Sequence, residues 1–203
     1  SGGTLSFKEA ISQTYAPSGN SDLTGQHIAL FKVPQFISLT VNGTLEAAPF
    51  DGICGGMMPL MAQLSLEIGP EGHLDAGAMG YLGGVQNRVW DSTGQAGESI
   101  AGAGAKGNGS NLGGGGGGGL AGSSCGNCEG TGGGGGHGEP GEKGEQSNPG
   151  LGDGGAGGVT YGVPSLSQLT LGSGGGAGAL DSSNEGGIGG LGGAGGGAIM
   201  LIA

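Results

Sequence analysis

Positive charge is almost missing from this chain. Five lysines and arginines stand against sixteen acidic residues among 203, for a net charge of −11. The five are Lys8, Lys32, Arg88, Lys106 and Lys143, and they are scattered along the sequence. Nucleic acid and anionic membranes are both met by clustered cations, so neither is an expected partner. Acidity with few lysines suits a protein kept soluble outside a cell. No apolar run approaches the ~20 residues that cross a bilayer, so membrane insertion is not expected. The opening SGGTLSFKEA lacks a charged-then-apolar leader pattern, and a leader is expected to have been removed or never used.

Cysteine is also scarce, and odd in number: Cys54, Cys125 and Cys128. Cys125-Gly-Asn-Cys128 would need two further ligands to hold zinc, and only His137 is near. As an extracellular feature the pair reads as a small disulfide staple, with Cys54 buried or free. Catalytic signatures are lacking as well. His27, His73 and His137 lie far apart, and no Ser/His/Asp or paired-carboxylate arrangement has supporting context. Lys106 is followed by glycine rather than Gly-Lys-Ser/Thr, and glycine-rich nucleotide fingerprints arise here by chance. The calcium nonapeptide needs its aspartate one position before Asp181. No catalytic residue, metal ligand or cofactor is therefore expected. The reading is a non-enzyme, with a β-solenoid polysaccharide-active enzyme and an ice-binding protein as remote alternatives.

What the chain does have is glycine. Fifty-nine residues are glycine, 16 of them in the first 101 positions and 43 in the rest, against a usual share of ~7%. Gly113 to Gly119 and Gly132 to Gly136 are unbroken. Helix is excluded by a cost of ~1 kcal/mol per glycine. A flexible tether and a bundle of polyproline-II-type extended helices both remain. Spaced Leu112, Leu120, Leu151, Ile188 and Leu191 favour the bundle over a solvated linker.

The apolar parts repeat. VPQFISLTVNG (33–43), MPLMAQLSLEIG (58–69) and VPSLSQLTLGSG (163–174) each place apolar residues five and seven positions after a proline. Leu39 and Val41 then align with Leu64 and Leu66, and with Leu169 and Leu171. Each is followed by Leu-acid-small: Leu45-Glu46-Ala47, Leu74-Asp75-Ala76 and Leu180-Asp181-Ser182. Alternation is the period of a strand with one buried face, and Asn42-Gly43 reads as a hairpin turn. Short strand-and-turn units read as stacked rungs that cannot bury their faces alone. The terminal GGAGGGAIMLIA (192–203) repeats the lead-in of such a unit. Ile199, Met200, Leu201 and Ile202 are therefore an assembly strand, paired inside the chain or with another molecule.

Among the non-glycine stretches, VQNRVWDS (85–92) is the most varied. Arg88, Trp90 and Asp91 there are the candidate contacts to a sugar or partner, or a loop anchored by a buried tryptophan.

Poly-glycine tracts beside a small β part resemble the distal adhesins on long tail fibres of T-even-type bacteriophages. Their glycine-rich domain is a sandwich of polyglycine-II helices. The glycine lead-in and LTVNGTLEA are also similar to repeats in large glycine-rich bacterial surface proteins. The likeness is carried by 101–158, 172–203 and the rung motif, and it implies no catalytic residue.

The expected fold is all-β with polyglycine-II helices: short stacked β rungs, solenoid or sandwich-like, and a packed glycine-helix bundle with little or no α-helix. Residues 1–100 form the β-rich portion with two rungs, and 101–203 the glycine-rich portion with a third rung and the terminal strand. The expected function is a non-enzymatic extracellular structural protein of a surface fibre, filament or matrix, self-associating into a homo-oligomer. The alternative is an adhesin at a tail-fibre tip or cell surface that binds a glycan or protein receptor.

Overall fold

A computed structural model describes residues 32–86, 93–120, 129–146, 152–180 and 189–203. No α-helix occurs among them, and the regular structure is five strands in two small parallel sheets. The coarse expectation of β structure without α-helix holds for these residues, although the sheets are small and most of the described chain is irregular.

Strand β1 spans Gln35–Val41, β2 Thr44–Glu46, β3 Met57–Ile68, β4 His73–Asp75 and β5 Ala198–Ile202. One sheet runs β1-β3-β5 and the other pairs β2 with β4, all parallel. Successive units thus lie on one another, β1 and β2 on β3 and β4. Leu45 pairs with Leu74 and Glu46 with Asp75, as the sequence repeat aligns them.

Three local readings need correction. The proline alignment puts Leu39 beside Leu64, but the strands pair Leu39 with Leu66 and Val41 with Ile68. An irregularity between Phe36 and Ser38 shifts the register, as a bulge does by adding unpaired residues to one strand. Asn42-Gly43 is not a hairpin, since β1 and β2 do not pair with each other. It is a corner at which the chain passes from one sheet to the other. Residues 163–174 contain no strand. The third place in the sheet goes instead to β5, which pairs Ile199 with Met58 and Leu201 with Leu60.

The core follows the alternation only in the first half of β3, since Leu64, expected on the buried face, is 78% exposed. Met58, Leu60 and Ala62 are buried on β3. Ala47 joins Met58 and Leu60, with Leu39, Leu66, Leu74, Ala76, Met79 and Ile199 packed around them. Pro59 fits within β3 because β1 begins to pair only at Met61, so no ladder bond from its nitrogen is needed.

The glycine-rich remainder forms extended segments, here s1 (80–86), s2 (93–99), s3 (104–108), s4 (115–120), s5 (130–137), s6 (139–146), s7 (152–161), s8 (171–180) and s9 (189–197). Their hydrogen bonds run sideways and rotate with a period of three. On s8, Gly172, Gly175 and Gly178 donate to s9; Ser173, Gly176 and Ala179 donate to s5; Gly174 and Ala177 donate to s2. On s4, Gly116 and Gly119 donate to s8, Gly117 and Leu120 to s7, and Gly118 to s3. A chain turning once in three residues aims successive N–H groups 120° apart, which gives this rotation.

Glycine is required here by crowding rather than by backbone angles. None of residues 115–119, 130–136 or 172–178 has a positive φ. A Cβ added at Gly176 would instead stand 1.9 Å from the Gly117 carbonyl oxygen, and one at Gly119 would stand 1.9 Å from that of Gly130.

Candidate functional site

Segments of this block are joined at both ends: 100–103, 111–114, 137–139 and 162–170 lie toward the sheets, and four further intervals are flanked at the other end. Gly94 donates to Gly119 at 2.9 Å, Leu120 to Asp153 at 2.8 Å and Ala179 to Gly130 at 3.0 Å. Gln95 reaches Val85 at 3.3 Å, Gly178 reaches Gly190 at 2.8 Å, and Gly130 bridges Gln146. One layer therefore holds the described residues that flank intervals 87–92, 121–128, 147–151 and 181–188. The described residues on both sides of each interval lie at that end. At the opposite end s9 continues into β5, and Met79, which leads into s1, accepts a bond from Phe50.

Polar side chains in the connecting layer centre on Asp153. Its carboxylate accepts from Gln146 Nε2 at 2.7 Å, Lys143 Nζ at 3.0 Å and Asn108 Nδ2 at 3.4 Å. The Gln146 bond, followed by that from Lys143, holds the Asp153 carboxyl below its usual 3.8. The lysine–aspartate pair is half open to solvent, so it orients s6 on s7 more than it stabilises them.

At the sheet end the polar groups serve structure. Tyr161 donates to the Leu171 carbonyl, Ser173 Oγ donates to Tyr161 at 2.9 Å, and His137 Nε2 meets Thr170 Oγ1 at 2.9 Å. Tyr81 packs edge-on to Phe50 with ring centroids 5.2 Å apart. Burial, aided by Tyr161 and Glu98 nearby, pushes its phenol from 10.0 up to about 12. The folded chain thus holds this proton more tightly than the unfolded chain. The stability contributed by neutral Tyr81 is complete below pH 10 and is lost as pH climbs toward 12. Tyr81→Phe is expected to retain more of its neutral-pH stability at pH 11 than the wild-type chain does, measured by urea unfolding at both values.

Of the residues singled out from the sequence, Ile199, Met200, Leu201 and Ile202 lie on β5. Ile199 packs against the core, while Met200 and Leu201 remain 42% and 45% exposed. Arg88, Trp90, Asp91, Cys125 and Cys128 lie outside the described residues. Cys54 is exposed and unpaired, and the adjacent Asp51 carboxylate raises its thiol pKa. No group of His, Cys, Asp and Glu fit to hold a metal occurs among the described residues. No described helix is long and apolar enough to cross a membrane. The Asp153 cluster was missed in the sequence. Its only trace there is charge and amide interrupting glycine in GEKGEQSNPGLGDGG (141–155).

Comparison with protein-family models, with curated proteins and with solved structures finds no match for this chain.

Proposed function

We propose that the chain is a non-enzymatic, extracellular display scaffold. Its segments s1–s9 are polyglycine-II helices packed side by side, and the end that carries the four connections touches a cell-surface glycan or protein. In this reading it is an adhesin of the tail-fibre-tip kind. The observation that carries it is the sorting of ends: all four intervals 87–92, 121–128, 147–151 and 181–188 are flanked by one layer of the block, while the sheets lie at the other. A stiff block that holds four of its connections away from the sheets can separate recognition from folding. Those intervals hold Arg88, Trp90 and Asp91 and both cysteines of the CGNC pair.

The test replaces each interval with a Gly-Ser stretch of equal length. Binding to receptor-bearing cells should fall at least tenfold for one or more replacements, while the thermal transition moves little. If cells are bound equally well with all four replaced, the reading is wrong.

A second reading, a fibre or filament subunit, is favoured by β5. It pairs with β3 on one side and has no strand partner on the other among the described residues. An open strand edge recruits another strand, and a lysine on such an edge suppresses the pairing. Because Ile199 reaches the core, removing 199–203 would disturb the fold as well as assembly. Leu201→Lys, at a half-exposed site, is the cleaner variant. Sedimentation should show multimers of the wild type and monomers of the variant; equal multimers from both would exclude β5 as the assembly edge.

A further inference from the structure

Segments s5, s8 and s9 enclose a groove of about 1090 Å³ along the flank of the block, lined by residues 129–140 of s5 and its margins, and by residues of s8 and s9. Its meaning follows from the rotation of hydrogen bonds about s8. Side-by-side helices of three residues per turn have six neighbours, alternately reached by N–H and by C=O groups. Segment s8 donates to s9, s2 and s5, and it accepts from s1 and s4. Bonds among these neighbours place them in the order s9, s1, s2, s4, s5. The sixth position, between s5 and s9, is the groove.

The groups aimed at this position are unmatched. On s8 the rotation directs the Ser173 and Gly176 carbonyls there, and neither accepts an N–H among the described residues. Each touches s5 only on its Cα side: a Cβ added at Gly135 or Gly132 would lie 2.2 or 1.9 Å from them. On s5 the neighbours of Gly132 and Gly135 all donate, to s4, to Gly114 just before it or to s6, yet these two N–H groups donate to no described residue. On s9 the N–H groups of Gly193 and Gly196 likewise donate to no described residue, although their carbonyls accept from s8. The groove therefore presents donors, acceptors and donors in three parallel rows with a three-residue repeat. That is the complement of one more helix of the same kind.

We propose that this groove binds an extended glycine-rich segment, at least two turns long, from another polypeptide. The occupant accepts from s5 and s9 and donates to s8. It must be poor in side chains, because at most such contacts in the block an added Cβ would lie under 3 Å from main-chain atoms. The sequence of residues 1–31 lacks such a glycine run, holding only Gly2, Gly3, Gly19 and Gly25. A second copy does not supply it either, because its glycine segments are already built into its own block. The inference stands apart from the display function, which concerns the end of the block rather than its flank.

The probe is a synthetic peptide of nine glycines preceded by two lysines, added to the full isotope-labelled chain. At millimolar peptide the amide resonances of Gly132, Gly135, Gly193 and Gly196 should shift and their hydrogen exchange should slow at least tenfold. A Cβ at Gly175 would stand 3.3 Å from the Gly133 oxygen and 3.7 Å from the Gly193 nitrogen, within the groove. Gly175→Val should therefore weaken peptide binding at least tenfold while keeping a dispersed spectrum. Gly178→Ala, whose Cβ would lie 3.3 Å from the Gly190 nitrogen, repeats the blockade if the valine variant fails to fold. The proposal is overturned if millimolar peptide leaves these four amides unmoved. It is equally overturned if they are already protected in the free chain, or become protected only as the chain associates with itself.

Discussion

Gly117→Ala is expected to abolish cooperative folding of the glycine block, whereas Gly193→Ala leaves it intact. Both are one-methyl changes in glycine-rich surroundings, and neither residue has a positive φ. At Gly117 the added carbon would lie 2.2 Å from the Asn108 oxygen, 2.7 Å from its carbonyl carbon and 2.8 Å from the Gly109 oxygen. All three are backbone atoms, so no rotamer change can relieve the clash. Segment s3 would have to move, and with it the Gly118–Gly107 bond at 2.8 Å and the Ala156–Asn108 bond at 2.7 Å. Overpacking usually costs about 1–3 kcal/mol, and here the upper end or more is expected because the obstacle is main chain. At Gly193 nothing lies within 4 Å of the added carbon. There the loss of glycine's freedom in the unfolded chain should leave stability unchanged or raised by about 0.4–1 kcal/mol. Calorimetry of the two variants decides. Equal transitions would show that the block is not close-packed.

Hydrogen exchange should read the packing residue by residue. On s8 every N–H from Gly172 to Ala179 donates to a neighbouring segment. All eight should be protected, by a factor on the order of 10³ or more relative to a free glycine peptide, if they open only with the block. On s5 the residues Gly130, Thr131, Gly133, Gly134 and Gly136 donate, whereas Gly132 and Gly135 do not. The free chain should thus show two slow amides and one fast amide, repeated. No tether produces a period of three, and no sheet produces it either, since strand exposure alternates with a period of two. Uniformly fast exchange through 130–136 would remove the scaffold and the display function with it. Ordering each glycine costs of the order of 1–2 kcal/mol, so such a pattern can survive only if the segments hold one another cooperatively.

The rung pattern was legible because burial of alternate side chains leaves a mark in composition. Leu45-Glu46 lies on Leu74-Asp75 as the repeat aligns them, but on β3 the buried positions are Met58, Leu60 and Ala62, and Leu64 faces solvent. The third rung was misread because VPSLSQLTLGSG has the composition of its predecessors, but the place beside β3 is filled by β5. A local motif cannot register which of two candidate strands wins a long-range pairing. The register of β1 was misjudged for a related reason: the irregularity after Phe36 has no signal of its own.

The candidate site was less legible still. Asp153, Gln146, Lys143 and Asn108 are spread over 46 positions and meet only because s3, s6 and s7 share an end. Nothing in their spacing announces it.

By itself, the sequence determined the kinds of structure available. Glycine without alternation excluded helix and weakened strand, acidity removed nucleic acid and anionic membrane from the expected partners, and the first two proline-spaced apolar repeats marked stacked strands, though the third forms none. Only the tertiary structure decided which segments are neighbours, and hence which residues share an end of the block and which flank is left open. Glycine has no side chain with which to encode a partner. Each choice is made by backbone donors and acceptors that are alike in every segment, and so it is settled by the packing of the whole block.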